Sequence, residues 1–329
     1  MMKMNYLSTR DTSVKVSSAQ AITRGISADG GLFVPESFPS VSLERIEQLS
    51  KLDYIGRAKA ILSLYLTDFT EEELDSCVRG AYESGFSSEK VAPLARLEDG
   101  VYILELLRGP TCAFKDIAKE GGNVAVCAIE GNFDDAQSGV KKIFTDKAIA
   151  ERLAAEGMAF SSANSINWGR LAPQIVYYFS AYCDLVADGA IKNGDKINVV
   201  VPTGNFGNIL AAYYAREMGL PIAKLICASN SNSVLTDFLT TGVYDRNREF
   251  FTTVSPSMDI LISSNLERLL YSLAGSEKVK GWMKQLAECG RYEVDADTLA
   301  KLRSLFAAGC CNDDETKATI AAAYKEKGC

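Results

Sequence analysis

Residues Gly109-Pro110-Thr111-Cys112-Ala113-Phe114-Lys115-Asp116 set a lysine in a tight, apolar turn. Burial disfavours an ammonium and lowers its pKa, which is what a Schiff-base nucleophile needs. The turn runs into a helix-like segment, and a helix start disfavours positive charge further. The alternative is a surface lysine on the first turn of an ordinary helix, because lysine is mostly exposed. A second segment, NVVVPTGNFGNILAAYYAREMGLP, reads as a buried strand over 197–201, a glycine loop over 203–208 and a helix over 209–218. Gly219-Leu220-Pro221 stops that helix. Gly204 and Gly207 let a backbone come close to a ligand, and free N–H groups at a helix start attract an anion. The spacing is neither the dinucleotide G-x-G-x-x-G nor a Walker loop. A plain strand-to-helix turn is the competing reading.

The elements that must position these groups alternate. Segment 101–106 is strand-like, 123–131 reads as a buried strand, a helix is expected over 136–144, and 223–229 is a further strand. Strands alternating with helices imply an α/β fold with a mostly parallel sheet covered on both faces. The first ninety or so residues form a separate unit in which a helix is expected over 42–65. Another helix opens with the capping box Thr70 and Glu73 and ends at Gly85. The domain division is therefore 1–91 and 92–329. No repeat or low-complexity tract interrupts it.

Composition removes whole classes of chemistry. The 329 residues contain no histidine, which excludes Ser-His-Asp and Cys-His catalysis and the H-E-x-x-H metal motif. Nine scattered cysteines form no C-x-x-C pair, so neither a disulfide framework nor a zinc site is expected. Cys112 reads as a small buried filler. No metal is expected. Hydrophobic residues make up 47% and charged residues 23%, enough for an ordinary packed core. A net charge of -7 with no Lys/Arg run argues against nucleic acid and anionic membranes. No stretch approaches membrane-spanning length and the start lacks a signal-peptide pattern, so the cytoplasm is the expected location. Lys, Asp, Glu, Tyr, Cys or a cofactor must then carry any proton traffic.

Several segments resemble one family in order along the chain. ELLRGPTCAFKDIA is similar to the lysine signature of the serine/threonine dehydratase and threonine synthase group of pyridoxal 5'-phosphate (PLP) enzymes, and PTGNFGN resembles the threonine synthase PLP-phosphate loop. YLSTRD with ADGGLFVPE, AIEGNFDDAQSGVKKIF, SSANSINWGRLAPQIVYY and SPSMDILISSNLERLLY point to threonine synthase itself. The resemblance implies PLP fold type II, the tryptophan synthase beta-like group: two mostly parallel twisted α/β subdomains plus a smaller N-terminal domain. It implies PLP as cofactor, joined as an aldimine to Lys115. Gly204, Asn205, Phe206, Gly207 and Asn208 would hold its phosphate. O-phospho-L-homoserine is the implied substrate, converted with water to L-threonine and phosphate in threonine biosynthesis. Ser165, Asn167 and Arg170, with Thr111, are the implied substrate contacts. Arginine suits bidentate phosphate recognition. The competing reading is that 165–170 caps a helix beginning near Pro173, with Arg170 merely exposed. Asp116 reads as a helix N-terminal charge, and Asp134 with Asp135 as a helix cap, not as acid/base pairs. A monomer or homodimer is expected.

The chain departs from the family pattern in three places. Arg108 stands where a histidine usually precedes Gly-Pro-Thr. A Ser/Thr-Gly-Asp/Asn-Thr loop is missing, and so is a C-terminal HTAVA-like segment. A helix opened at 113–115 would be broken at once by Gly121-Gly122, and a helix so short cannot cover a sheet face. A segment of several tens of residues is therefore expected to be absent between about Ala118 and Lys119, with a tail absent after Cys329. Another PLP-dependent lyase acting by β/γ-elimination, or a PLP-fold protein that binds without turnover, is the alternative to threonine synthase.

Overall fold

The structure, a computed structural model, describes residues 3–109, 130, 139–140, 142–144, 146–158, 160 and 164–327. Thr111, Cys112, Lys115, Asp116, the 118/119 junction, Asp134, Asp135 and most of the expected 123–131 strand lie outside the described residues.

The N-terminal unit is built on three short antiparallel strands. Strand β1 (Tyr6–Ser8) lies between β2 (Lys15–Val16) and β3 (Phe33–Pro35). Helix α1 (Ser18–Arg24) starts from a Ser17/Gln20 capping box. The single helix expected over 42–65 is two helices, α2 (Leu43–Leu49) and α3 (Tyr54–Leu62). Asp53 causes the break: its carboxylate accepts the Gly56 N–H at 2.7 Å and starts a new helix. Helix α4 (Glu71–Tyr82) carries the Thr70/Glu73 capping box that the spacing predicts. A hairpin of β4 (Leu94–Glu98) and β5 (Val101–Leu104) follows, then α5 (Lys147–Ala155).

Helix α6 (Trp168–Ala187) starts before the position that Pro173 suggests. Asn167 caps it by accepting the Gly169 N–H at 2.9 Å, and Pro173 sits inside the helix, where its missing N–H removes one backbone bond. Trp168 lies 5.2 Å, ring to ring, from both Tyr6 and Tyr65, so the N-terminal unit and α6 share one core.

The chain then alternates: β6 (Ile197–Pro202), α7 (Gly207–Glu217), β7 (Ile222–Ser229), α8 (Val234–Thr241), β8 (Val243–Asp245), α9 (Leu266–Ala274), α10 (Ser276–Cys289), β9 (Arg291–Glu293), α11 (Ala296–Leu305), β10 (Phe306–Cys310) and α12 (Asp313–Lys327). Strands β10, β7 and β6 form a parallel sheet in that order. Its register puts Val199, Leu225 and Phe306 on one row and Val201, Cys227 and Ala308 on the next, and these rows supply core residues. The opposite face carries Val200, Ile226 and Ala307, and Val200 is 61% exposed. The fold is α/β, and the carboxyl ends of β6 and β7 lead into the loops that make the candidate site. Among the described residues no helix is long and apolar enough to cross a membrane.

Candidate functional site

The loop between β6 and α7 is shaped by contacts that come from far along the chain. A Cβ placed on Gly204 would lie 2.5 Å from the Ser257 carbonyl oxygen, and one on Gly207 would lie 2.5 Å from Ser165 Oγ. A side chain at either position therefore forces a neighbour to move, the Ser257 backbone at Gly204 and the Ser165 side chain at Gly207. Phe206, between them, adopts φ 62° at the start of α7. A buried phenylalanine in the left-handed region is strained, and such strain clusters at ligand sites. Its ring is held 5.8 Å from that of Phe306.

The loop carbonyls are turned inward. Ser263 Oγ donates to the Gly204 carbonyl at 2.9 Å, and the Asn265 N–H and Nδ2 both donate to the Asn205 carbonyl at 3.1 Å. A trans peptide sets N–H opposite C=O, so the N–H groups of Asn205 and Phe206 face the other way. Phe206 gives α7 no side-chain cap. A left-handed residue leading into an uncapped helix is an anion-binding concavity. Asn205 Oδ1 is buried without a hydrogen-bond partner among the described residues. Asn208 Oδ1 accepts from the Tyr177 hydroxyl at 2.5 Å and the Tyr178 hydroxyl at 2.6 Å. Burial drives both phenols well above the usual tyrosine range, so they stay protonated and donate. The Asn208 amide is thereby oriented with Nδ2 directed away from the two rings. This donor set, close-approach glycines included, fits a phosphate group.

The segment that covers Gly204 is itself fixed. Asp259 Oδ1 accepts from Asn230 Nδ2 and Thr253 Oγ1, each at 2.7 Å, and Asp259 Oδ2 accepts the Thr253 N–H at 3.0 Å. Behind the loop, α9 is anchored to the end of β1. Glu267 takes Arg10 in a fork of two 2.8 Å bonds and Thr9 Oγ1 at 2.6 Å.

Comparison with known proteins decides the family. The family model described as "Threonine synthase N terminus" matches residues 5–82. Threonine synthase of Saccharomyces cerevisiae is 32% identical over 97% of this chain and 78% of its own length. The PLP-bound threonine synthase structure from Brucella melitensis superposes with a TM-score of 0.88 at 33% identity, covering 99% of this chain and 82% of that one.

The chain belongs to the threonine synthase family.

The yeast threonine synthase structure agrees, with a TM-score of 0.85 at 30% identity. Human threonine synthase-like 1 is 35% identical over 98% of this chain, which spans only 55% of that protein's length. That alignment runs over 406 residues against the 329 of this chain, so the relative carries positions inside the matched span that this chain lacks.

Within the threonine synthase frame, the sequence-derived candidates fall into three groups. Gly204, Asn205, Phe206, Gly207 and Asn208 form the concavity, and Ser165 meets it at Gly207. Asn167 is 2% exposed, with Nδ2 donating to the Ile22 carbonyl at 2.9 Å and Oδ1 capping α6, so its amide is committed to the fold. Arg170 lies half-buried in the first turn of α6, a turn with no acidic residue. Arg108 is paired with Glu105. Lys115 and Thr111 lie outside the described residues. Asn265, Arg268, Tyr177 and Tyr178 escape sequence reasoning as site residues. They sit in the family-like segments 161–178 and 255–271, but only the three-dimensional contacts give them work. Burial pushes the Cys183 thiol up to about 12 and the Cys227 thiol up to about 11, so neither serves as a nucleophile near neutral pH. Among the described residues no group of His, Cys, Asp and Glu gathers to hold a metal ion.

Proposed function

We propose that this chain is a threonine synthase, a carbon–oxygen lyase that turns O-phospho-L-homoserine and water into L-threonine and phosphate with PLP as cofactor. The observation that carries the reading is the concavity at the start of α7, where a Cβ on either glycine would collide with a neighbour and the loop carbonyls point inward.

In this reading Gly204, Asn205, Phe206, Gly207 and Asn208 hold the cofactor phosphate through N–H groups and the Asn208 amide. The helix start neutralises part of the dianion, so no arginine is needed there. Lys115 holds the cofactor and moves protons at the substrate carbons. When bound, PLP supplies an electron sink for the substrate α- and β-carbons. Arg170, Ser165 and Thr111 receive the substrate phosphate. Asn167 contributes by fixing the start of α6.

Borohydride reduction of cofactor-loaded protein, followed by peptide mapping, should place the pyridoxyl group on Lys115, and turnover should release phosphate and threonine in equal amounts. A label on another lysine removes Lys115 from its role. A keto acid in place of threonine reassigns the reaction to a dehydratase-type lyase.

A second reading, cofactor binding without turnover, is favoured by two observations. The family alignment is longer than the chain, and Val200 is 61% exposed on a parallel sheet of the kind normally covered on both faces. Intact-mass measurement of the natural protein separates the two. A mass above that of the 329 residues restores the first reading. A mass equal to it, with PLP loaded and no phosphate released, establishes the second.

A further inference from the structure

Arg268 is fully buried, and burial lowers its pKa to about 10, so the guanidinium stays charged near neutral pH. Its Nε donates to the Phe33 carbonyl at 2.9 Å, and its terminal nitrogens donate to the Ser165 carbonyl at 2.9 Å and the Ile166 carbonyl at 2.6 Å. One terminal nitrogen also donates to Asn265 Oδ1 at 2.6 Å. Arginine has donors and no acceptor. That last bond therefore fixes which end of the Asn265 amide is oxygen. Nδ2 must lie on the other side, where it donates to Ser165 Oγ at 2.9 Å and to the Asn205 carbonyl at 3.1 Å.

The consequence falls on Ser165. Its oxygen is occupied as an acceptor, so its own proton is left to donate. That proton meets Asn164 Oδ1 at 3.3 Å, long for an O–H donor and easily exchanged for a phosphate oxygen. Ser165 Oγ lies against Gly207, at the uncapped start of α7.

We propose that Asn265, oriented by Arg268, is a positioning residue that keeps the Ser165 hydroxyl a hydrogen-bond donor to a phosphate bound at the start of α7. The proposal rests on the function proposed above. The phosphate is that of the cofactor or that of the substrate, and the experiment tells them apart.

The relay reverses under a nearly isosteric change. In Asn265→Asp the carboxylate still accepts from Arg268, but it now takes the Ser165 proton, opposes the Asn205 carbonyl and repels an anion. Asn265→Ala removes the donor without reversing anything. Ser165→Ala removes the hydroxyl alone. A hydrogen bond to a charged group lost in this way corresponds to roughly tenfold to a hundredfold in affinity.

The test measures PLP affinity of the full chain by absorbance titration, the KM and kcat for O-phospho-L-homoserine, and the melting temperature of each variant. Asn265→Ala and Ser165→Ala should each weaken one phosphate about tenfold, and their double variant should be no worse than either alone. Asn265→Asp should weaken it further, about a hundredfold, while melting no lower than Asn265→Ala because the new carboxylate pairs with Arg268. A loss in PLP affinity assigns the relay to the cofactor phosphate, and a raised KM with unchanged PLP affinity assigns it to the substrate phosphate. An aspartate variant as mild as alanine, additive losses in the double variant, or a Ser165→Ala protein with both quantities unchanged overturns the proposal. Ser165→Ala, at a half-buried position, supplies this measurement even where an Asn265 variant does not fold. Wild-type protein that takes up no PLP overturns the proposed function first and this relay with it, whereas a loaded wild type with the wrong ranking overturns the relay only.

Discussion

Arg57 and Arg268 are both buried, and their surroundings could hardly differ more. Arg57 lies between α3 and α6, where it donates to Asp184 at 2.6 Å, to Ser180 Oγ at 2.9 Å and to the Leu49 carbonyl at 3.0 Å. Its charge is neutralised by the carboxylate it touches. Arg268 touches carbonyls and one amide oxygen, and the adjacent Glu267 is already engaged by Arg10 and Thr9. A cation buried beside neutral dipoles leaves a positive field in its neighbourhood, and the concavity at the start of α7 lies in that neighbourhood. The first arginine closes a core. The second ties Phe33, the 165–166 backbone and the Asn265 amide together behind the loop at the start of α7.

That contrast breaks most visibly at the Arg57 end. Arg57→Met leaves Asp184, 7% exposed at its side chain, with Lys90 at 3.9 Å as its remaining cation among the described residues. The expected cost is about 3–5 kcal/mol of stability, the usual penalty for an uncompensated buried charge. Denaturant titration should show this loss, while the folded fraction binds PLP as tightly as wild type. Weakened PLP binding in the folded fraction would mean that the two arginines are not functionally separate.

Gly204→Ala probes the other end. The new methyl group meets the Ser257 backbone oxygen, and the Asp259 knot prevents that segment from yielding freely. Stability should fall by about 1–3 kcal/mol, as for other overpacked sites. Cofactor uptake should fall much further than stability does, which comparison of melting with PLP titration will reveal. Equal losses in both would make Gly204 a packing residue alone.

Thr70→Ala gives the smallest expected change and serves as the reference. It removes the capping box of α4, away from both arginines, and should cost about 1 kcal/mol in a urea titration with kcat/KM unaltered. A kinetic change there would show that the N-terminal unit communicates with the site.

Local patterns explain what was legible. The capping box at Thr70 and Glu73 and the strand–loop–helix over β6 and α7 are set by residues close in sequence, so their chemistry can be read directly. The merged helix over 42–65 missed a local signal, because Asp53 three residues before Gly56 is itself a capping pattern. The helix start near Pro173 gave too much weight to proline. Asn167 supplies the cap, and the Tyr6 and Tyr65 rings around Trp168 hold the first turn in place.

By itself the sequence determined the family, the alternation of strands and helices, the glycine loop between strand and helix at 204–208 and the exclusion of histidine-based catalysis, since each depends on residue type and short spacing. Only the tertiary structure decided that Ser257 closes over Gly204, that Ser165 meets Gly207, and that Asn265 reaches Ser165 across 100 residues of chain. It also decided that Arg268 reaches Phe33 across 235 residues. The physical reason is that a hydrogen bond has a fixed reach and direction but no fixed separation in sequence. Which donor faces which acceptor is therefore settled when β3, α6, α7 and α9 pack together, and no pattern within one segment records it.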